Sequence, residues 1–249
     1  MDTLLSRLRH HGPLVDADYS VLLRLAHRLV VKQAGQVVVA AGERLSEVFV
    51  VEQGWAIRYR ILDDGRRQVV NFMVPGDCFD LQSIVGANAD HHVSALTTIR
   101  LRMISGAHFL DAVRQSAALA TVFWWAAVQE ESVLREHIVS IGRRTARQRC
   151  AHMLVELHRR LTMAGLRRDQ ACVLPLTRDI MADSLGLSPV HVSRSIAHLR
   201  GRKLIDTTRG TISLRDISGL AEVGEFNARY LHLHDRQVMP RAESDLESA

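Results

Sequence analysis

The side chains best suited to do chemistry in this chain lie on one face of a predicted helix that begins after Ser188. Arg194 carries five N–H donors, and Ser193 beside it carries a hydroxyl. Val190, four residues before Arg194, offers only methyl groups. A short polar and cationic helix face of this kind fits the base edges in the DNA major groove. We predict that the DNA-contacting residues are Thr177, Ser188, Pro189, Val190, His191, Ser193, Arg194 and His198.

Two short helices joined by a tight turn must position this face. Thr177 is suited to cap the first helix, and Ser188-Pro189 starts the second with a capping hydroxyl and a proline at the first helical position. Gly186 stands where the chain needs a left-handed residue to leave the first helix. The apolar positions of the second helix recur at helical spacing and predict a buried back face, formed by Val192, Ile196 and Leu199.

The charge of the chain is mildly basic and unevenly distributed. The formal net charge is +5 over 249 residues. Clustering of arginines on one segment favours a polyanion partner, although a solvated helix face is the alternative. The cluster comprises Arg143, Arg144, Arg147, Arg149, Arg159, Arg160, Arg167 and Arg168, with Glu156 as the only carboxylate before Asp169.

The spacing of the cysteines and the hydropathy of the chain indicate where in the cell the protein lies. Cys78, Cys150 and Cys172 are widely spaced and form no CxxC pair, which fits a reducing environment. The N-terminus lacks a signal-peptide pattern, and the longest strongly apolar run, residues 119–128, is too short to span a bilayer. We therefore expect a cytoplasmic protein with no membrane partner.

The segment 1–115 changes from helical to strand periodicity near residue 30. Short β-branched segments then alternate with glycine turns, a spacing typical of an antiparallel barrel or sandwich. Asp64-Gly65 is suited to a hairpin turn between two apolar strands. We predict that residues 1–115 form a β-roll domain.

The spacing of apolar residues over 116–142 predicts a long helix that ends in a hinge at Gly142. Starting from Ala120, its apolar residues lie alternately four and three apart, as in a coiled-coil seam. Packing on its own barrel is the alternative, but a unit that reads one half-site favours a second copy. Glu131 is then a polar position that sets the register of the pair. The predicted dimer interface is Trp124, Ala127, Glu131, Leu134, Ile138 and Ile141.

The remaining chain predicts a winged helix-turn-helix domain at 143–235. A first helix over residues 146–164 precedes the helix pair, and Leu204-Ile205 with residues 212–214 forms a β-hairpin wing around Arg209-Gly210. Phe226, Tyr230 and Leu233 suggest a short closing helix. The polar tail 236–249 is predicted to be disordered.

This order of parts resembles the Crp/Fnr family of bacterial transcription regulators. The resemblance covers roughly residues 20–220 and is most specific in the DNA-binding part. In the roll it depends on Ala41-Gly42-Glu43, residues 48–51, Gly54, Asp64-Gly65 and residues 74–77. In the DNA-binding part it depends on residues 174–177, residues 185–188, Val192-Ser193-Arg194 and Leu204-Ile205.

The resemblance implies an α+β fold with an N-terminal cyclic-nucleotide-binding-like β-roll (a jelly-roll barrel), a long dimerisation helix and a C-terminal winged helix-turn-helix. It also implies a homodimer that binds double-stranded DNA at a palindromic promoter site and contacts RNA polymerase. Ser193 and Arg194 match groove-reading residues of the family. Val190 replaces the usual glutamate and Pro189 a common arginine, so we expect a different half-site from the best-known family consensus.

The sequence does not identify the small molecule that the β-roll would bind as an effector. Family members that bind cyclic nucleotides use a glycine-glutamate pair and an arginine-serine pair, for which an ungapped count from Gly76 gives Asp80-Leu81 and His91-His92. Neither pair suits cyclic AMP, because Leu81 cannot accept from a ribose hydroxyl and histidine lacks the fork and permanent charge of arginine. These four residues remain the candidate site for an unidentified small-molecule effector, if there is one.

No other cofactor is expected. An iron–sulfur cluster needs four thiolates, and haem sensors of the family place histidine or cysteine where this chain has Asp80 and Gln82. No catalytic or metal-binding residues are predicted, and we expect no enzymatic activity. The alternative is a cupin-like metal-binding enzyme fused to a DNA-binding module, but the adjacent His91 and His92 would point to opposite faces of a strand.

Overall fold

The protein is described here by a computed structural model that covers residues 2–9, 14–26, 28–166 and 168–232, without the side chains of residues 168 and 170. Two helices open the chain, α1 (Asp2–Leu8) and α2 (Asp16–Leu25). The first strand then begins at Arg28, slightly earlier than the periodicity predicts. The predicted disordered tail 236–249 lies outside the described residues.

Within the described residues of the roll, eight antiparallel strands form two facing sheets. Their order is β1-β8-β3-β6 in one sheet and β2-β7-β4-β5 in the other, so the chain passes from sheet to sheet as in a jelly roll. The strands β1 and β6 add to the six segments that the sequence predicts. The bounds are β1 Arg28–Lys32, β2 Val37–Val39, β3 Glu47–Gln53, β4 Ala56–Ile61, β5 Arg67–Met73, β6 Cys78–Phe79, β7 His92–Ala95 and β8 Ile99–Ser105.

Strand β3 shows how the roll is packed. Phe49 and Val51 point between the two sheets, whereas Val48 and Val50 point outward against the helices α1 and α2. This alternation follows from the two-residue period of a strand and explains a continuous apolar run that is buried on both faces. A one-turn 3₁₀ helix, Leu81–Val85, connects β6 to β7.

A long helix follows the roll. Helix α3 (Gly106–Gln115) leads into α4 (Ala117–Arg143), which the hydroxyl of Ser116 caps by accepting from the Leu119 amide. The predicted break at Gly142 is wrong, because α4 runs through that residue. The break falls instead at Arg144 and Thr145, since Thr145 is extended and caps the next helix with its hydroxyl.

The DNA-binding part is a winged helix-turn-helix. A closing helix centred on Phe226 and Tyr230 was predicted, but α9 lies earlier and only a 3₁₀ turn, Ala228–Leu231, covers Tyr230. Leu233 lies outside the described residues. The elements are α5 Ala146–Met163, α6 Arg168–Ala171, β9 Val173–Leu174, α7 Arg178–Leu185, α8 Pro189–Gly201, β10 Ile205–Thr208, β11 Thr211–Leu214 and α9 Ile217–Val223.

The two parts share one hydrophobic core. Ile57 and Val69, on the outer face of the second sheet, belong to the same buried cluster as Leu154 of α5 and Met181 of α7. At its edge, Arg67 of β5 pairs with Asp183 of α7 at 2.7 Å. The helix-turn-helix is therefore packed directly on the roll as well as joined to it through α4.

Candidate nucleic-acid interface

The helix pair is held by the capping groups that its sequence predicts. The Thr177 hydroxyl accepts from the Ile180 amide at 3.3 Å, and the Ser188 hydroxyl accepts from the His191 amide at 3.3 Å. Gly186 ends α7 with a φ of +61°. The Thr177 O–H can still donate to a phosphate, whereas the Ser188 hydroxyl also forms a hydrogen bond with Nδ1 of His191 at 3.1 Å.

Helix α8 presents a buried back and an exposed front. Val192 and Leu199 are fully buried, and Ile196 nearly so. On the front, Val190 is 57% exposed and Arg194 is exposed, with Ser193 half-buried between them. The remaining predicted contacts, Pro189, His191 and His198, are exposed as well. All eight predicted residues thus lie on or beside one accessible surface.

A groove of about 790 Å³ separates the front of α8 from the wing. The start of α7 forms its floor, and the turn of the β10–β11 hairpin forms the far wall. Sequence reasoning found this hairpin but did not assign its side chains to the interface. The Arg209-Gly210 turn was the available signal. The added lining residues are Arg178, Asp179, Thr207, Thr208 and Arg209.

Arg149 holds the helix-turn-helix to the start of its domain. Its guanidinium donates to the carbonyl of Arg144 at 2.9 Å and to the carbonyl of Leu185 at 2.9 Å. The second acceptor is one of the otherwise unpaired carbonyls at the end of α7. Arg149 therefore fixes the turn that orients α8.

The arginine cluster is only partly a surface for a polyanion. Arg144 pairs with Glu136 at 2.6 Å, and Arg160 is buried with Asp77 at 2.8 Å. Together with Arg149, these arginines serve the interior. The exposed members are Arg143, Arg147 and Arg159, whereas Arg167 and the side chain of Arg168 lie outside the described residues. Arg147 lines a second groove of about 430 Å³ with His191, Arg194 and His198.

The predicted seam on α4 is open to solvent in the single chain. Trp124 is 74% exposed and Ile138 71% exposed, and Ala127 and Ile141 are exposed as well. Leu134 is half-buried, and the exposed Glu131 pairs with Arg135 one turn away. The opposite side of α4 packs on the roll through Val122, Phe123 and Val133.

The four predicted effector residues do not form one site. Asp80 is 2% exposed and adopts a left-handed φ of 59°, and its carboxylate lies 3.1 Å from both Arg58 and His91. His92 faces the other way, accepts from the Ala41 amide at 3.2 Å and stacks on Tyr59. Leu81 packs among the apolar residues beneath α3 and α4. Only Asp80 and His91 contact each other.

A cleft of about 510 Å³ lies beside His91, between the roll and α4. Arg58, Asp90 and Gln82 line it from the roll, and Leu134 and Ile138 line it from α4. Burial opposes protonation of His91, but hydrogen bonds to Asp80 and Asp90 outweigh it and raise the pKa of His91. Within the described ranges, no group of three or more His, Cys, Asp or Glu residues is arranged to hold a metal ion.

None of the helices in the described part of the chain is both long enough and apolar enough to cross a membrane.

Comparison with known proteins matches both parts. Residues 29–116 match the cyclic nucleotide-binding domain, and residues 148–223 match the Crp-like helix-turn-helix domain. The chain is 34% identical over 171 residues to the nitrogen fixation regulation protein FixK of Rhizobium meliloti, covering 69% of this chain and 74% of that protein. It is 30% identical over 175 residues to the transcriptional activator protein FnrL of Cereibacter sphaeroides, covering 68% of each.

A solved structure agrees with these matches. FixK2 from Bradyrhizobium japonicum superposes with a TM-score of 0.70 and 26% identity, covering 79% of this chain and 96% of that one. The shared fold, the exposed reading helix with its wing, and the sequence relatives lead to one conclusion: the chain belongs to the Crp/Fnr family of DNA-binding transcription regulators.

Proposed function

We propose that the protein acts as a homodimer that binds a palindromic promoter site and contacts RNA polymerase. The observation that carries the proposal is the apolar seam on α4, which stays exposed while the reading helix of the same chain is also free. Contiguous exposed apolar residues at coiled-coil spacing are stabilised by pairing with a second copy. The polymerase contact is supported by family membership.

Two copies are also what the reading surface requires. One recognition helix covers a half-site, and a two-fold dimer presents two such helices to half-sites about one helical turn apart. Within each half-site, we propose that Arg194 donates a pair of hydrogen bonds to guanine O6 and N7. Val190, whose methyl groups are exposed, contacts a thymine methyl.

We further propose that cyclic AMP, haem and an iron–sulfur cluster are not effectors of this protein. A cyclic phosphate would meet the carboxylate of Asp80, which is already bonded to Arg58 and His91, so the residues present do not fit that ligand. Three cysteines cannot supply four thiolates. The names of the relatives describe regulators, and we propose that this chain likewise catalyses no reaction.

Selection of bound fragments from random DNA, followed by affinity measurement, tests the proposal. We expect the selected site to be palindromic and to bind at least a hundred times more tightly than a single half-site. Binding should weaken steeply with salt, because each phosphate contact contributes about −0.9 to the slope of log K against log salt. A monomer at micromolar concentration in sedimentation, or a selected site without two-fold symmetry, would refute the dimer.

A further inference from the structure

Arg58 of β4 joins the cleft in the roll to helix α4. Its guanidinium donates to Asp80 on the roll at 3.1 Å and also pairs with Glu130 of α4. His91 holds the same oxygen of Asp80 from the other side at 3.1 Å. The charge that lines the cleft is therefore bonded directly to the middle of α4, far from the Arg144–Thr145 break.

Glu130 also holds Asn71 of β5, the residue directly opposite Arg58 in the second sheet. The oxygen of Glu130 that accepts from Arg58 also accepts from the Asn71 side-chain amide at 3.0 Å. Two donors thus share a single acceptor atom. A change in how strongly Arg58 holds that oxygen must alter the bond from Asn71.

Asn71 in turn contacts the DNA-binding part. Its carbonyl oxygen accepts from Arg160 of α5 at 3.2 Å, and Arg160 also donates to the Phe72 carbonyl at 2.6 Å and to Asp77 at 2.8 Å. Arg160 is 4% exposed, so these contacts are made in the interior. Helix α5 packs against α8, and both belong to one hydrophobic cluster. A shift of α5 therefore moves the reading surface.

Not every buried atom of this network has a hydrogen-bond partner. Among the described residues, Oδ2 of Asp80 and the Nε atoms of Arg58 and Arg160 have no hydrogen-bond partner. A buried polar atom without a partner is costly, so a change that supplied a partner at one end would favour a rearrangement of the network. Coupling between distant sites requires an element with two such arrangements.

We propose that Asp80, Arg58, Glu130, Asn71 and Arg160 form a coupling relay that runs from the cleft in the roll, through Glu130 of α4, to the DNA-binding part and sets its position. The route bypasses the break between α4 and α5. Glu130 is its positioning residue, because its one shared oxygen joins the two halves. The proposal deepens the proposed function, since DNA affinity is the output of the relay.

A double-mutant cycle tests the relay. Asp80→Asn removes one of the two carboxylates that hold Arg58, so Glu130 binds Arg58 more strongly and Asn71 less strongly. In the otherwise unchanged protein, we expect Asp80→Asn to change the Kd for the selected DNA site by roughly 5- to 150-fold, the usual range of coupling between two sites. In a Glu130→Gln background, the same substitution should change Kd by less than twofold.

Hydrogen–deuterium exchange of the α5 amides in the absence of DNA provides a second readout. In the wild-type background, Asp80→Asn should raise the exchange rate of these amides. In the Glu130→Gln background, adding Asp80→Asn should leave the exchange rate unchanged. If the wild-type protein selects no DNA site, the proposed function fails, and the exchange cycle still decides the relay. If Asp80→Asn does not fold, His91→Asn perturbs the same end of the relay and replaces it in the cycle.

Glu52→Gln is the matched control. Glu52 is a carboxylate of the roll that also contacts two arginines, Arg100 and Arg102, but these contacts lie on the first sheet and do not reach α4 or α5. In its background, Asp80→Asn should keep its full effect. The relay would be overturned if Asp80→Asn changed Kd and exchange equally in the wild-type and Glu130→Gln backgrounds, or changed them in neither.

Discussion

Arg194→Ala gives the most direct test of how the reading surface works. The guanidinium is exposed on the front of α8, whose back is fixed by the buried side chains of Val192 and Leu199. Because the backbone stays in place, we expect the substitution to remove the proposed base contact and leave the fold unchanged. A pair of hydrogen bonds from arginine to guanine contributes about 1–3 kcal/mol of discrimination. This corresponds to roughly 5- to 150-fold in Kd at one base pair.

The position of that base pair follows from helix geometry. Val190 and Arg194 are four residues apart, so they lie about 6 Å apart along the axis of α8. This is close to two base-pair steps of about 3.4 Å. We therefore expect the thymine and the guanine to lie about two steps apart in each half-site. In Arg194→Ala, preference at the guanine alone should be lost, while preference at the thymine is retained.

Fluorescence anisotropy with single-base variants of the selected site measures this pattern. Arg194→Lys keeps the charge but lacks the fork, so it should lose the same discrimination while the salt dependence stays unchanged. Arg200→Ala is the control, because Arg200 is exposed on the same helix but lies roughly 120° around its axis. It should weaken all sites equally or not at all. Full discrimination by Arg194→Ala would refute the assignment of Arg194 to a base.

Three further predictions concern assembly, folding and pH. Ile138→Glu places a charge on the exposed seam and should convert the dimer to a monomer in sedimentation; a stable dimer would contradict the seam. Gly54→Ala should lower the free energy of unfolding by roughly 2–5 kcal/mol, because Gly54 has a φ of +79° and a Cβ there would lie 2.2 Å from the Thr98 carbonyl oxygen. Gly35→Ala, at φ +84° with open space around it, should cost only about 1–2 kcal/mol in the same denaturation experiment, and equal losses would refute the clash. Hydrogen bonds to two carboxylates outweigh burial and raise the pKa of His91 above its ordinary 6.5, so its stabilisation is complete below that pH and fades as pH rises through the folded value. The Tm difference between wild type and His91→Asn should therefore shrink from pH 5.5 to pH 9, and a constant difference would exclude this role.

Local patterns were enough to predict most elements. The caps at Thr177 and Ser188, the turn at Gly186 and the wing at Arg209-Gly210 all depend on residues within a few positions of one another. The same holds for six of the eight strands of the roll. Such elements follow from short-range backbone preferences and from the period of apolar residues, both of which are visible in the sequence.

The sequence predictions failed where contacts from elsewhere in the structure outweighed a local preference. Gly142 carries a helix-breaking tendency of about 1 kcal/mol, but it lies in the last turn of α4, and the helix continues to Arg143. The Arg144–Glu136 ion pair holds this end of the helix. Thr145 then ends it by capping α5. The arginine cluster favours a polyanion partner in sequence because its charge is visible there, whereas the carboxylates and carbonyls that lie opposite Arg144, Arg149 and Arg160 are not.

By itself, the sequence determined that this protein reads DNA, because one short helix carries a buried back at helical spacing and a polar front. Val192, Ile196 and Leu199 form the back, and Val190, Ser193 and Arg194 form the front. Only the tertiary structure decided which residues connect the β-roll to the long helix and to the DNA-binding part. It brings Asp80, Arg58 and Glu130 together from a turn, a strand and a helix, at separations of up to 72 residues along the chain. No periodicity records such a contact, because a buried ion pair depends on which elements pack together and on the desolvation that makes each charge require a partner.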